Sequence, residues 1–155
     1  MTSRRPHRPA KHAAAGDTAE AGPDDGRANV VDSSAWLEYF GDGPNAGFFA
    51  PSIERTARLV VPTIVLSEVY RRITVQRSER EALDIVAQMQ LGRMIDLSST
   101  LAMRAASLGV QHRLPLADSI VYATAAECDG VVWTQDADFE RLPGVRYREH
   151  AKRGA

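Results

Sequence analysis

Lysine is nearly missing from this sequence. Of 19 lysines and arginines in 155 residues, only Lys11 and Lys152 are lysines, and both lie near the ends. Chemistry that needs a lysine in the folded core is therefore excluded, which removes P-loop NTPases and Schiff-base enzymes. Cysteine is as scarce. With Cys128 alone, one chain can build neither a disulfide framework nor a thiolate metal site, and a reducing cytoplasm is the expected compartment. No apolar run reaches the ~18–20 residues of a membrane span, so no membrane association is expected. A formal net charge of −1 excludes both a strongly basic nucleic-acid coat and an acidic disordered tail. Residues 1–27 contain no Val, Ile, Leu, Phe, Trp or Tyr. Such a stretch buries almost nothing and reads as a disordered N-terminal extension. It has no apolar segment behind its basic start, so it is not a secretory signal.

The remainder, from Ala28 to about His150, has the length of one domain, with residues 151–155 as a short C-terminal tail. Apolar runs and helical periodicities alternate along it. Strands are expected at Asn29–Val31, Leu59–Val61, Met94–Leu97, Val131–Thr134 and Val145–Arg148. Helices are expected at Ser33–Phe40 and Asn45–Arg55, and from Thr63 through Ile73, where Leu66, Val69, Tyr70 and Ile73 share one face. A further helix should follow a Ser78–Glu81 capping box, run to Leu91 and stop at Gly92. Two more should start near Ser98–Thr100 and at Leu114–Pro115, the second reaching about Cys128. Apolar strands alternating with helices predict an α/β fold with a mostly parallel central sheet of about 4–5 strands. Ligands in such sheets bind beyond the carboxyl ends of the strands.

Carboxylates stand where those strands should end. Asp32 closes the first strand, and Asp136 follows the fourth, with Asp138 just beyond. Asp118 falls in the first turn of a helix, where the dipole favours it. Glu68 lies in the helix after the second strand. Packed together, these groups would repel one another and raise their own pKa values, and a hard divalent cation such as Mg²⁺ would remove that penalty. Metal-assisted phosphodiester hydrolysis then suits the set better than acyl transfer. Each acid also has a plain role open to it. Asp32 could cap the next helix, Glu68 could pair with Arg71 or Arg72, Asp118 could be a dipole partner, and Asp136 could close an Asx turn.

The blocks Val30-Val31-Asp32-Ser33-Ser34, Val65-Leu66-Ser67-Glu68-Val69, Leu116-Ala117-Asp118-Ser119-Ile120-Val121-Tyr122-Ala123-Thr124-Ala125 and Trp133-Thr134-Gln135-Asp136-Ala137-Asp138-Phe139 resemble the PIN domain in order and spacing. They look most like VapC toxins of bacterial toxin–antitoxin pairs. The resemblance spans about Asn29 to Tyr147, and the block around Asp118 is its most specific part. It implies a three-layer α/β/α sandwich and a Mg²⁺- or Mn²⁺-dependent endoribonuclease leaving a 5′-phosphate and a 3′-hydroxyl. The catalytic acids it implies are Asp32, Glu68, Asp118 and Asp136. Asp32 and Asp118 would be direct metal ligands, while Glu68 and Asp136 would orient water or bind a second metal. Ser33 and Thr134 would support carboxylates or water, and Asp138 could substitute for Asp136. It also implies an RNA substrate, a homodimer, and a cognate VapB-like antitoxin that wraps the toxin and blocks the acidic site. The N-terminal extension departs from the family pattern.

Residues 28–150 carry 12 arginines and 16 acids, so phosphate contact would rest on metal and local arginines. Arg71, Arg72, Arg77 and Arg80 cluster after the Glu68 helix and are the candidates, although a solvated helix face is the preferred reading of them. In the extension, Arg4, Arg5, Arg8 and Lys11 could touch RNA or a partner. Trp36 and Trp133 read as packing residues, His112 and His150 as surface residues, and Cys128 as a small buried side chain. A receiver domain or a haloacid-dehalogenase-type phosphatase would need a core lysine, which is absent. A catalytically inactive PIN-like module that binds RNA or protein is the remaining rival, and the full set of four acids argues against it.

Overall fold

A computed structural model describes residues 25–152. Of the expected N-terminal extension only residues 25–27 fall within that range, and of the tail only residues 151–152; the rest of both lies outside the described residues. Strands and helices alternate as β1 (Asn29–Val31), α1 (Ser33–Phe40), α2 (Ala46–Glu54), β2 (Leu59–Pro62), α3 (Thr63–Gln76), α4 (Glu79–Met89), β3 (Arg93–Ile95), α5 (Ser99–His112), α6 (Leu116–Glu127), β4 (Val131–Thr134) and β5 (Val145–Tyr147), with one 3-10 turn (Ala137–Phe139) after β4.

The strands form one sheet in the order β3-β2-β1-β4-β5, and every pairing in it is parallel. The mostly parallel sheet expected from the sequence is thus wholly parallel, with five strands. β2 and β4 are buried at every position, which is why they read as unbroken apolar runs rather than alternating ones. The chain leaves β1 toward β2 and β3, then crosses back to β4 on the other side of β1. The right-handed rule for parallel crossovers assigns α1–α4 to one face and α5 and α6 to the other, the α/β/α arrangement; α1 contacts β4, α2 contacts β1 and β2, and α6 contacts all three. The strand order reverses between β1 and β4, which creates a crevice at their carboxyl ends.

Trp36, Phe49 and Phe139 are fully buried in the main core, so Trp36 is a packing residue. α6 is buried continuously from Ser119 to Ala125, and its alanines let it lie close against the sheet. Ser98 caps α5 and Ser78 caps α4, each accepting a backbone N–H at 3.1 Å. Glu81 pairs with Arg77 at 3.6 Å, so the capping box is closed from the Ser78 side.

Several expected boundaries shift by one or two residues: α2 covers Ala46–Glu54, β2 runs to Pro62, α6 starts at Leu116 and β5 ends at Tyr147. α4 ends at Met89 rather than Leu91, and β3 covers Arg93–Ile95 rather than Met94–Leu97. Gly92 therefore serves a different purpose from ending a helix. A Cβ there would stand 2.7 Å from Leu59 Cγ, so glycine lets the chain pass close under β2. Gly92→Ala should destabilise the fold by about 1–3 kcal/mol through overpacking, measurable as a lower denaturant midpoint with an unchanged slope.

Candidate metal centre

The crevice between β1 and β4 is lined with acids. Asp32 follows β1 directly, and its backbone N–H donates to Trp133 O at 3.0 Å, locking it beside β4. It occupies the N-cap position of α1 in an extended conformation, yet its side chain makes no capping bond. Instead Asp32 Oδ2 accepts from Ser34 Oγ and from Thr134 Oγ1, both at 2.9 Å. The residue is 3% exposed, and burial pushes its carboxyl above the ordinary range despite those donors.

Glu68 reaches in from α3. No arginine holds it: the influences on it are burial first, then the charges of Asp32 and Asp136, opposed by a hydrogen bond from Ser33, and its pKa is raised. The i+3 and i+4 pairing open to it in the sequence is not formed. Asp118 lies in the first turn of α6 as expected. Its pKa is pushed up to about 7 by burial and then by Asp136, Asp32, Asp138 and Glu68. Burial and all four carboxylates act in the same direction. Asp136 does close a turn, accepting from Asp138 N at 2.9 Å, and its own N–H donates to Thr134 Oγ1 at 2.9 Å. Oxygens of Asp118, Asp136 and Asp138 come within 4.8 Å of one another.

All of the predicted site residues thus meet at one edge of the sheet. Two details go beyond the sequence reading. Asp138 stands beside Asp118 and Asp136 together. Asp32 is held by the Ser34 hydroxyl as well as by Thr134, while Ser33 bonds Glu68. Ser34 Oγ also lies 3.2 Å from Thr134 Oγ1 and accepts from Gln135 N at 3.2 Å. The signal was the adjacent serine pair after Asp32, whose two members point to different acids.

Removing either donor to Asp32 should weaken divalent-metal binding about 10-fold, within the range for outer-shell partners. Thr134→Val should also cost about 1–3 kcal/mol of stability, because it leaves the Asp136 N–H without its acceptor. Mn²⁺ titration and thermal unfolding of Ser34→Ala and Thr134→Val measure both effects.

A parallel α/β/α domain with clustered carboxylates at its reversal point defines the class, and residues 30–145 match the PIN domain family. The chain belongs to that family. Its fold is shared with a toxin–antitoxin complex from Klebsiella pneumoniae, at 22% identity and a TM-score of 0.65, covering 77% of this chain and 95% of that one. It is shared with the sarcin–ricin-loop-cleaving VapC toxin of Mycobacterium tuberculosis, at 17% identity and 0.63, covering 76% and 97%. DNA-bound VapBC from Salmonella typhimurium is similar at 16% identity and 0.61, covering 81% and 99%. Comparison with curated proteins returned no match.

Proposed function

We propose that this protein is a divalent-metal-dependent endoribonuclease and the toxin of a type II toxin–antitoxin pair, with residues 28–150 as its working domain. The observation that carries the reading is the convergence of Asp32, Glu68, Asp118, Asp136 and Asp138 on the β1–β4 crevice, with oxygens of the last three within 4.8 Å of one another. Such a set costs stability unless something positive occupies it. Its donors are all oxygen, which suits Mg²⁺ or Mn²⁺ rather than a softer ion. Asp32 and Asp118 would hold the ion, together with the Asp136 and Asp138 oxygens gathered beside Asp118. When bound, such an ion offsets charge on a transferring phosphoryl group and makes its water more acidic.

The chain supplies the rest. Ser34 and Thr134 fix the orientation of Asp32. Ser33 holds Glu68, whose half-buried carboxylate would orient the attacking water. The β4 strand and the turn after it set Asp136 and Asp138 against Asp118. A VapB-like antitoxin, a homodimer and a cytoplasmic location complete the reading. The first is supported by neighbours solved as toxin–antitoxin complexes. Among the described residues, no helix is long and apolar enough to cross a membrane.

Incubating the purified, antitoxin-free chain with a structured RNA pool tests the reading. Cleavage with Mg²⁺ or Mn²⁺ that stops in EDTA is the expected result. Cleavage that persists in EDTA contradicts it.

A further inference from the structure

We propose that the cleft between α1 and α3 seats the base of a nucleotide adjoining the cleaved phosphodiester, and that Glu38 selects guanine there; this rests on the nuclease reading above. The cleft encloses about 400 Å³, and its lining includes Ser34, Glu38, Arg72, Arg77, Gln135 and His150. Ser34 and Gln135 join it to the acidic centre. Ser34 Oγ donates to Asp32 Oδ2 at 2.9 Å and accepts from Gln135 N at 3.2 Å. The cleft therefore begins one side chain away from a proposed metal ligand.

Its floor is a fixed carboxylate. Glu38 is 8% exposed. Its Oε1 accepts from Asn45 N at 2.9 Å, and its Oε2 accepts from Gln135 Nε2 at 3.2 Å. Gln135 is itself held, since its Oε1 accepts from Asn45 Nδ2 at 3.1 Å. The turn after α1 packs so closely that a Cβ on Gly43 would collide with the Glu38 carboxylate. Both pinning donors are neutral. Beside them His150 Nδ1 lies 3.9 Å from Oε2, and its side chain is exposed. A loop staple needs only a neutral acceptor, and burying a charge there costs more than burying an amide.

A carboxylate offers about four acceptor positions. One on each oxygen is taken, and one on each remains. Two adjacent acceptors match two adjacent N–H donors. Among the RNA bases, guanine presents that pattern, through N1–H and the N2 amine on its Watson–Crick edge. Adenine and cytosine set a ring acceptor beside their amine, which would face the carboxylate unfavourably. Uracil has one N–H flanked by two carbonyls. Single-stranded RNA is commonly read on this edge while stacked on an aromatic or histidine ring, and His150 stands at the mouth. Arg72 is exposed with no ion-pair partner among the described residues, which leaves it available for a flanking phosphate. Arg77 lines the same cleft but is engaged, pairing with Glu81 at 3.6 Å and donating to Phe40 O at 3.3 Å.

Cleavage of a randomised single-stranded RNA library by the full chain with Mn²⁺, followed by sequencing of the cut ends, tests the proposal. Guanine should be enriched roughly 10-fold or more at one position beside the cut, the scale of hydrogen bonds to a charged group. Inosine, which lacks the N2 amine, should lower kcat/KM by a similar factor when placed there, in a test that needs no variant to fold. Glu38→Gln, with folding checked by circular dichroism, should flatten the enrichment. Cleavage without guanine preference, or with a preference indifferent to both changes, overturns the subsite and leaves the nuclease reading intact. A library left uncut with every metal overturns the nuclease reading instead. Calorimetry with guanosine and inosine 5′-monophosphates then decides the cleft: tighter guanosine binding supports it, and equal or absent binding overturns it.

Discussion

Asp118→Asn should cut RNA more than about 100-fold more slowly than the wild type, a larger loss than outer-shell substitutions cause, and yet be the more stable protein without metal at pH 7.5. Both effects come from one charge. Asp118 faces Asp136, Asp32, Asp138 and Glu68, and their repulsion and its burial outweigh the favourable dipole of the first turn of α6. Asparagine keeps the shape and the place in the first turn of α6, but it removes the repulsion. A shift from 3.8 to about 7 corresponds to about 4 kcal/mol for a fully shielded group. Asp118 is half-buried, so solvent screening reduces the expected gain to about 1–2 kcal/mol. Thermal unfolding in EDTA and cleavage rates in Mn²⁺ measure the two sides. A variant that is both slower and less stable at pH 7.5 would show that Asp118 serves the fold rather than a charge site.

The wild type without metal should lose stability as pH rises from about 4 to about 7, and Mn²⁺ should restore it. Asp32, Glu68 and Asp118 all have raised values. Across that window the folded state holds protons that the unfolded chain has released, so stability falls with rising pH. No penalty exists below the unfolded value, where both states are protonated. It is complete above the folded one. A carboxylate held in a salt bridge behaves in the opposite way, gaining stability over the same range. For Asp118 alone the discounted penalty of about 1–2 kcal/mol corresponds to a fall of roughly 5 °C in Tm. Metal binds the deprotonated native state and reverses the loss by mass action. Scans from pH 4 to 8 with EDTA, then with Mn²⁺, give the measurement, and a Tm that rises with pH in EDTA contradicts the account.

Much of this architecture was legible in the sequence because the sheet is buried on both faces. Val30-Val31, Leu59-Val60-Val61 and Val131-Val132-Trp133 are apolar runs too short for helices, so their type could be read; the polar Asp32 and Thr134 mark the ends of β1 and β4, while β2 runs one residue past its expected end, to Pro62. α1 matches its expected span at both ends because Asp32 and Gly41 mark them. β3 was harder to place. It is a three-residue edge strand, exposed or half-buried throughout, so no apolar contrast defines its limits.

The site divides along similar lines. Asp32 and Asp118 are tied to local signals, a strand end and a first turn. The role of Ser34 depends on Thr134 and Gln135, a hundred residues away in sequence, and nothing local reveals it. Glu38 lies on an amphipathic helix, where an acid looks like a solvated face. Only the loop folded over it, through Asn45 and Gly43, makes it a buried group.

The central claim is that the acids at the β1–β4 crevice form a cation site, and Mn²⁺ binding followed by electron paramagnetic resonance tests it most directly. The account predicts saturable binding to the wild type that is lost in Asp32→Asn and in Asp118→Asn, with both variants folded. Absence of saturable binding, or binding that survives both substitutions, would contradict it and leave a PIN-like module that binds without catalysis.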